Sequence, residues 1–241
     1  MNRQVLAIPS RIWDRDCEFC LGRTSSAICF EEVQEVAITQ QSISKALDWA
    51  YEKALTGGIP GTSDAYELAE EYLQRKGELK DQVNALIRWQ NTKSATSGFV
   101  TGLGGLATLP VAIPANLASV LYIQLRMIAA IAIMGGHDVK DDRVRTLAYA
   151  CLCGNAAADI LKDVGIQVGK KFAEQALKKL SGEVVKKINQ KVGFRLLTKY
   201  GTTGVVNLSK AIPLVGGLTG AIFDGVSTNI IGNTAKKFFI E

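Results

Sequence analysis

Residues 94–136 restrict the possible folds of this chain, because these 43 residues contain a single charged side chain, Arg126. Pro110 and Pro114 lie near the middle of the segment. Proline interrupts a helix and keeps the residue before it out of the α region. The pattern therefore predicts two apolar helices joined by a tight turn, with Asn116 as the N-terminal cap of the second helix.

A second apolar segment, residues 202–239, is also rich in glycine and contains I-P-L-V-G-G-L-T-G-A-I-F-D. Glycine in a water-exposed helix costs about 1 kcal/mol relative to alanine, whereas small residues allow two packed helices to approach closely. We therefore predict an all-α fold, a multi-helix bundle with two glycine-rich apolar helical hairpins.

Apolar residues recur with helical spacing between these segments, and no convincing strand is found. A basic amphipathic run follows over residues 166–200, and Gly182 is expected to divide it into two helices. We predict an N-terminal extension of unclear structure over residues 1–38 and one helical domain over residues 39–241. Further helices are predicted over residues 42–56, 64–76, 78–90 and 141–163.

The five cysteines and the single histidine give little support for a metal site. Cys17 and Cys20 form a C-x-x-C pair and Cys29 lies nearby, but a structural zinc site needs about four ligands. A redox pair is a second interpretation and incidental reduced thiols a third. His137 follows two glycines and is expected on an exposed turn. The apolar run within residues 1–10 is too short for a signal peptide, and the cysteines are odd in number, so we expect reduced thiols in a cytoplasmic protein. We expect neither a metal nor a cofactor.

The charges are unevenly distributed along the chain. Residues 1–93 contain 11 lysine and arginine residues against 14 acidic residues, whereas residues 94–241 contain 17 against 9. A basic half that also carries the apolar segments is typical of proteins that meet anionic lipid headgroups, although an ordinary solvated basic face has the same composition. No nucleic-acid module accompanies the lysines, so we do not expect a nucleic-acid partner. The predicted headgroup contacts are Lys170, Lys171, Lys178, Lys179, Lys186 and Lys187.

Several segments carry distinctive motifs: W-A-Y-E-K-A-L at 49–55, S-G-F-V-T-G-L-G-G-L-A-T-L-P-V-A-I-P-A-N-L at 97–117, Q-L-R-M-I-A-A-I-A at 124–132 and I-P-L-V-G-G-L-T-G-A-I-F-D at 212–224. Together these segments resemble the EcsC protein family, and the similarity covers about residues 40–240. The family name implies association with an operon for an ABC-type transporter of a bacterial membrane, and its members have no established biochemical activity. The resemblance thus implies an all-helical fold and a membrane setting, with an ABC-type transporter or another membrane protein as partner.

Four polar residues within apolar segments are candidates for buried or ligand-binding positions: Gln124, Arg126, Asp224 and Asn229. Burying an unpaired charge is costly. The simplest hypothesis is an ion pair between Arg126 and Asp224 that joins the two glycine-rich segments. The alternative is a pocket for a ligand or a lipid headgroup.

Two functions remain open on these observations. The first is a membrane-interacting accessory, regulatory or effector protein at the cytoplasmic face of the inner membrane, with Phe99 and Leu103 among its apolar contacts. The second is a soluble small-molecule-binding, lipid-binding or hydrolase-like protein with a pocket around Arg126 and Asp224. No G-x-S-x-G elbow or P-loop occurs, so the sequence favours a non-catalytic protein over an enzyme.

The second helix of the first hairpin, residues 115–135, is long enough to cross a hydrocarbon core of about 30 Å. Gln124 and Arg126 would then lie near the middle of the bilayer, where charges are expensive. We therefore expect a bundle that keeps its hairpins buried and exposes or inserts them only at a membrane. The simpler alternative is that the hairpins form the core of an ordinary helical domain.

Overall fold

A computed structural model describes residues 38–57, 59, 61–95, 115–169, 172–208 and 213–241, without the side chains of 93–95, 115–116, 201–208 and 213–225. Over these ranges the chain forms α-helices and one 3-10 turn, Gly154–Ala156, and no strand, which confirms the predicted all-α class. The division at residue 38 stays a prediction. The described helices are α1 (Gln40–Thr56), α2 (Ala65–Leu73), α3 (Leu79–Ala95), α4 (Ala115–Met134), α5 (Asp142–Cys151), α6 (Ala157–Lys162), α7 (Phe172–Lys179), α8 (Gly182–Leu208) and α9 (Pro213–Phe239).

Helix α4 is the core element, and α1, α2, α3, α5 and α9 pack against it. Over Leu117–Met134 its mean hydropathy is 1.9 and 89% of the residues are buried within the protein. Length and composition alone would suit a membrane span. In this structure the same apolar surface is covered by the neighbouring helices, as predicted for a hairpin arm buried in a bundle. The first arm and the turn lie outside the described residues, so both hairpins stay predictions.

Helix α2 begins where the sequence predicts, directly after its cap Asp64. The Asp64 carboxylate accepts a hydrogen bond from the Glu67 backbone N–H at 2.8 Å, and the Glu67 carboxylate accepts one from the Asp64 N–H at 3.2 Å. This reciprocal pair is a capping box, which satisfies backbone donors that the first turn leaves open. Between α2 and α3, the Gln82 side-chain amide donates to the Arg75 carbonyl at 2.7 Å and so closes the connection.

A single helix was predicted over residues 141–163, and that prediction is wrong because the structure contains two helices there. Helix α5 ends at Cys151, and the 3-10 turn separates it from α6. Gly154 has φ 57°, a left-handed conformation that glycine adopts without strain. A Cβ atom there would lie 3.0 Å from Cγ2 of Ile230. The interruption therefore lets α9 pack directly on the turn.

Glycines also set the distances of α9 from α3 and α4. A Cβ on Gly232 would lie 2.9 Å from Ile87 of α3, and one on Gly135 would overlap the backbone oxygen of Phe239. Helices α4 and α9 run side by side in the same direction, since Gln124 meets Thr228 at one level and His137 meets Phe239 further along. At these two positions glycine allows the close packing that the sequence predicts.

Candidate functional site

Arg126 is buried in the core, as predicted, with 1% of its surface exposed. Its Nη1 donates to the Ser63 carbonyl at 2.9 Å, and its guanidinium carbon lies 5.7 Å from the centroid of the Tyr122 ring. Burial lowers the pKa of this guanidinium, an effect that the nearby Tyr122 partly offsets. Since Ser63 directly precedes the cap of α2, Arg126 joins α4 to the start of α2. Among the described residues, its Nε has no acceptor.

Gln124 is equally buried but faces another helix. Its Nε2 donates to the Thr228 hydroxyl of α9 at 3.4 Å, whereas its Oε1 meets no donor in the described part of the chain. Residues two apart on a helix project about 200° apart. The structure therefore directs Gln124 toward α9 and Arg126 toward α2, and does not bring them into one pocket. The side chain of Asp224 lies outside the described residues, so its ion pair with Arg126 stays a prediction.

Asn229 is not a buried polar residue, and that prediction is wrong. Its side chain is exposed, and its Oδ1 accepts a hydrogen bond from Nδ2 of Asn233 at 2.9 Å. The neighbouring Thr228 and Ile231 are the residues that face the interior. Asn229 thus falls on the outer face of α9, because a helix turns by about 100° for each residue.

A cavity of about 430 Å³ lies between α8, α9 and the 3-10 turn, and no motif in the sequence indicates it. Arg195 and Lys199 are its cationic lining residues. Lys199 Nζ donates to the Ser227 hydroxyl at 3.0 Å. The remaining lining residues are Leu152, Cys153, Gly154, Asn155, Ala156, Leu196, Thr198, Val226, Ile230 and Ile231.

Four lysines of α7 and α8 lie on the outside of the bundle. Lys178 and Lys179 at the end of α7 and Lys186 and Lys187 on α8 are all exposed, and these four residues are called the basic face below. Helix α8 carries five cations and one acid, Glu183. The other predicted membrane contacts, Phe99, Leu103, Lys170 and Lys171, lie outside the described residues.

The sequence model of the EcsC protein family matches residues 28–240. The chain belongs to the EcsC protein family. It is also similar to the uncharacterized protein YdbA of Bacillus subtilis (strain 168), with 29% identity over 219 residues, 83% of this chain and 76% of YdbA. No solved structure matches it. The resemblance carried by the hairpin motifs is thereby confirmed at the level of the family.

The described thiols of this EcsC-family chain are protonated at neutral pH. Cys153 lies at the cavity, where burial raises its pKa to about 12 although Lys199 and Arg195 act in the opposite direction. Burial also raises the pKa of Cys151 well above its usual value. A thiol of this kind is a poor nucleophile. The weak metal candidates Cys17, Cys20 and Cys29 lie outside the described residues, and no group of three or more potential metal ligands occurs among the described ones.

His137 lies on the predicted turn after α4 but is half-buried rather than exposed. Its Nε2 lies 3.2 Å from the Phe239 carbonyl oxygen, and the two rings are 5.3 Å apart. The turn itself is closed by the His137 backbone N–H, which donates to the Ala132 carbonyl at 3.0 Å. In this EcsC-family protein the histidine therefore holds the end of α9 against the end of α4.

Proposed function

We propose that this EcsC-family protein binds the surface of anionic membranes through its basic face, as an accessory, regulatory or effector protein at the cytoplasmic side of the inner membrane. The supporting observation is that four exposed lysines occupy two consecutive helices on the outside of the bundle. Each lysine near an anionic surface contributes about 1 kcal/mol to binding. An ABC-type transporter or another membrane protein at that surface is the protein partner proposed.

An exposed aromatic side chain on the same helix also supports surface binding. Phe194 of α8 has 60% of its surface exposed, and it lies two turns beyond Lys187 along the helix. Peripheral helices use this combination, with lysines at the headgroups and an apolar ring at the acyl boundary. The proposal leaves α4 in the core, since its apolar surface is already covered by other helices.

Flotation with lipid vesicles tests the proposal. The double variant Lys186→Gln/Lys187→Gln removes two charges from the basic face, and Lys76→Gln/Lys80→Gln removes two exposed lysines outside α7 and α8. We expect the first variant to bind anionic vesicles about 30-fold more weakly, because two lysines contribute about 2 kcal/mol. The second variant should bind as the parent does.

The same flotation experiment is repeated at low and high salt, with neutral and with anionic vesicles. Binding should require an anionic lipid and weaken as salt is added, because ions screen the charges. Phe194→Ser should remove the part of the binding that survives high salt. Equal losses in the two double variants, or equal binding to neutral and anionic vesicles, would contradict the proposal.

A further inference from the structure

The cavity between α8, α9 and the 3-10 turn has three walls that differ in chemistry. Arg195 and Lys199 are four residues apart on α8, and such residues are neighbours on one side of a helix. Val226, Ile230 and Ile231 of α9 form the opposite, apolar wall. Residues of the 3-10 turn also line the cavity, and Gly154 lets this turn pack against Ile230. One side of the cavity is therefore cationic and the other is apolar.

Among the described residues that line this cavity, none carries a carboxylate. Its uncharged polar residues are Asn155, Thr198 and Ser227. Lys191, one turn earlier on α8, pairs with the Asp163 carboxylate at 2.5 Å and is not among the residues that line the cavity. Both cavity cations also act to lower the pKa of the nearby Cys153 thiol, as cations beside a potential anion do. The electrostatic environment of the cavity therefore favours a negatively charged group.

The apolar wall is incompletely covered by the protein. Val226 has 56% and Ile230 36% of its surface exposed, which is high for large apolar residues that adjoin a cavity. The volume of about 430 Å³ falls at the lower end of the roughly 300–1,000 Å³ of small-molecule sites. This size suits a single apolar chain better than a bulkier ligand.

We propose that this cavity binds an anionic amphiphile, with a carboxylate or phosphate group held by Arg195 and Lys199 and one apolar chain lying against Val226 and Ile230. The site is separate from the basic face, and it does not depend on the proposed membrane binding. The same ligand chemistry is available from a free fatty acid and from a lipid within a bilayer.

Titration calorimetry with four probes tests the chemistry of the site. Decanoate and decyl phosphate, both kept below micelle formation, should bind saturably with one molecule per chain. Decyltrimethylammonium, which has the same chain and the opposite charge, should not bind, and inorganic phosphate should bind much more weakly than decyl phosphate. Equal binding of the anionic and cationic probes, or no saturable binding of the anionic ones, would overturn the proposal. Inorganic phosphate that matched decyl phosphate would overturn the role of the apolar wall.

Substitutions at exposed residues test the location of the binding site and are not expected to unfold the protein. Arg195→Gln should weaken decanoate binding about tenfold or more, because hydrogen bonds between charged groups are among the stronger ones. Val226→Asp should abolish decanoate binding, since the new carboxylate would repel the anionic probe and compete with it for Arg195 and Lys199. The matched control is Lys191→Gln, on the same helix but outside the cavity. A loss as large in this control as in Arg195→Gln would show that the charge of α8, and not the cavity, is what binds.

Vesicle flotation of Arg195→Gln identifies the source of the ligand. If this variant loses both decanoate and anionic vesicles while Lys191→Gln keeps both, the cavity takes a lipid headgroup with its chain from the bilayer. If it loses decanoate alone, the ligand is a free amphiphile. Both results support the cavity site, and failure of vesicle binding in the parent protein would affect the proposed function alone.

Discussion

Arg126 is a charged residue in the core, with 1% of its surface exposed. Its described hydrogen-bond acceptor is the backbone carbonyl of Ser63, which is a neutral group. A buried guanidinium with one neutral acceptor among the described residues needs further compensation for its lost hydration.

A double-mutant cycle tests whether Asp224 supplies that compensation. We expect Arg126→Met and Asp224→Asn each to lower the free energy of unfolding by about 3–5 kcal/mol, because each leaves the other charge without its partner. The two effects should not add, and the coupling should be about 1–3 kcal/mol. Urea denaturation followed by circular dichroism measures all four proteins. Arg88→Met, at an exposed arginine, is the control and should change little. Additive effects would exclude the ion pair.

Individual helices were predictable where the residues that specify them are neighbours in the sequence. Apolar periodicity and the capping pair Asp64 and Glu67 identified α1, α2 and α3, and Gly182 marked the start of α8. The break at Gly154 was missed because one glycine is tolerated inside a helix. Its left-handed φ is required by the packing of Ile230, and Ile230 is 76 residues away along the chain. No local pattern contains that information.

The close packing of α9 on α3 depends on Gly232. Gly232→Ala should lower the free energy of unfolding by about 1–3 kcal/mol, because the new methyl would lie 2.9 Å from the branched side chain of Ile87. Gly182→Ala is the matched control, since a Cβ there meets no atom within 4 Å. Thermal denaturation of both variants measures the difference. Equal stability of the two would mean that α3 and α9 are not closely packed at this glycine.

The charge distribution of the whole molecule could be predicted from the sequence, but its cavity could not. The contrast between an acidic N-terminal part and a basic C-terminal part is visible in the order of residues alone. The cavity is not, because its walls come from residues 152–156, 195–199 and 226–231. Each of these segments is an ordinary piece of amphipathic helix or turn. Only the packing of α8 and α9 on the 3-10 turn places two cations opposite an apolar wall.

Two buried tyrosines make the stability of the whole bundle sensitive to alkaline pH. Tyr51 and Tyr149 pack edge to face with their ring centroids 5.7 Å apart. Their hydroxyls donate to the Val139 carbonyl at 2.9 Å and to the Asp48 carboxylate at 2.8 Å. Burial raises the pKa of both phenols above the ordinary value of 10.0, and the Asp48 carboxylate adds to the effect at Tyr149.

These raised pKa values predict that the protein loses stability as the pH rises above 10. The stabilisation is fully present below the unfolded pKa of about 10. Above it, the unfolded chain releases protons that the folded chain retains, so each tyrosine lowers the free energy of unfolding by about 1.4 kcal/mol per pH unit. Urea denaturation from neutral to alkaline pH should show this slope, and Tyr51→Phe/Tyr149→Phe should reduce it by about 3 kcal/mol per pH unit. The same slope in the double phenylalanine variant would show that neither phenol keeps its proton in the folded state.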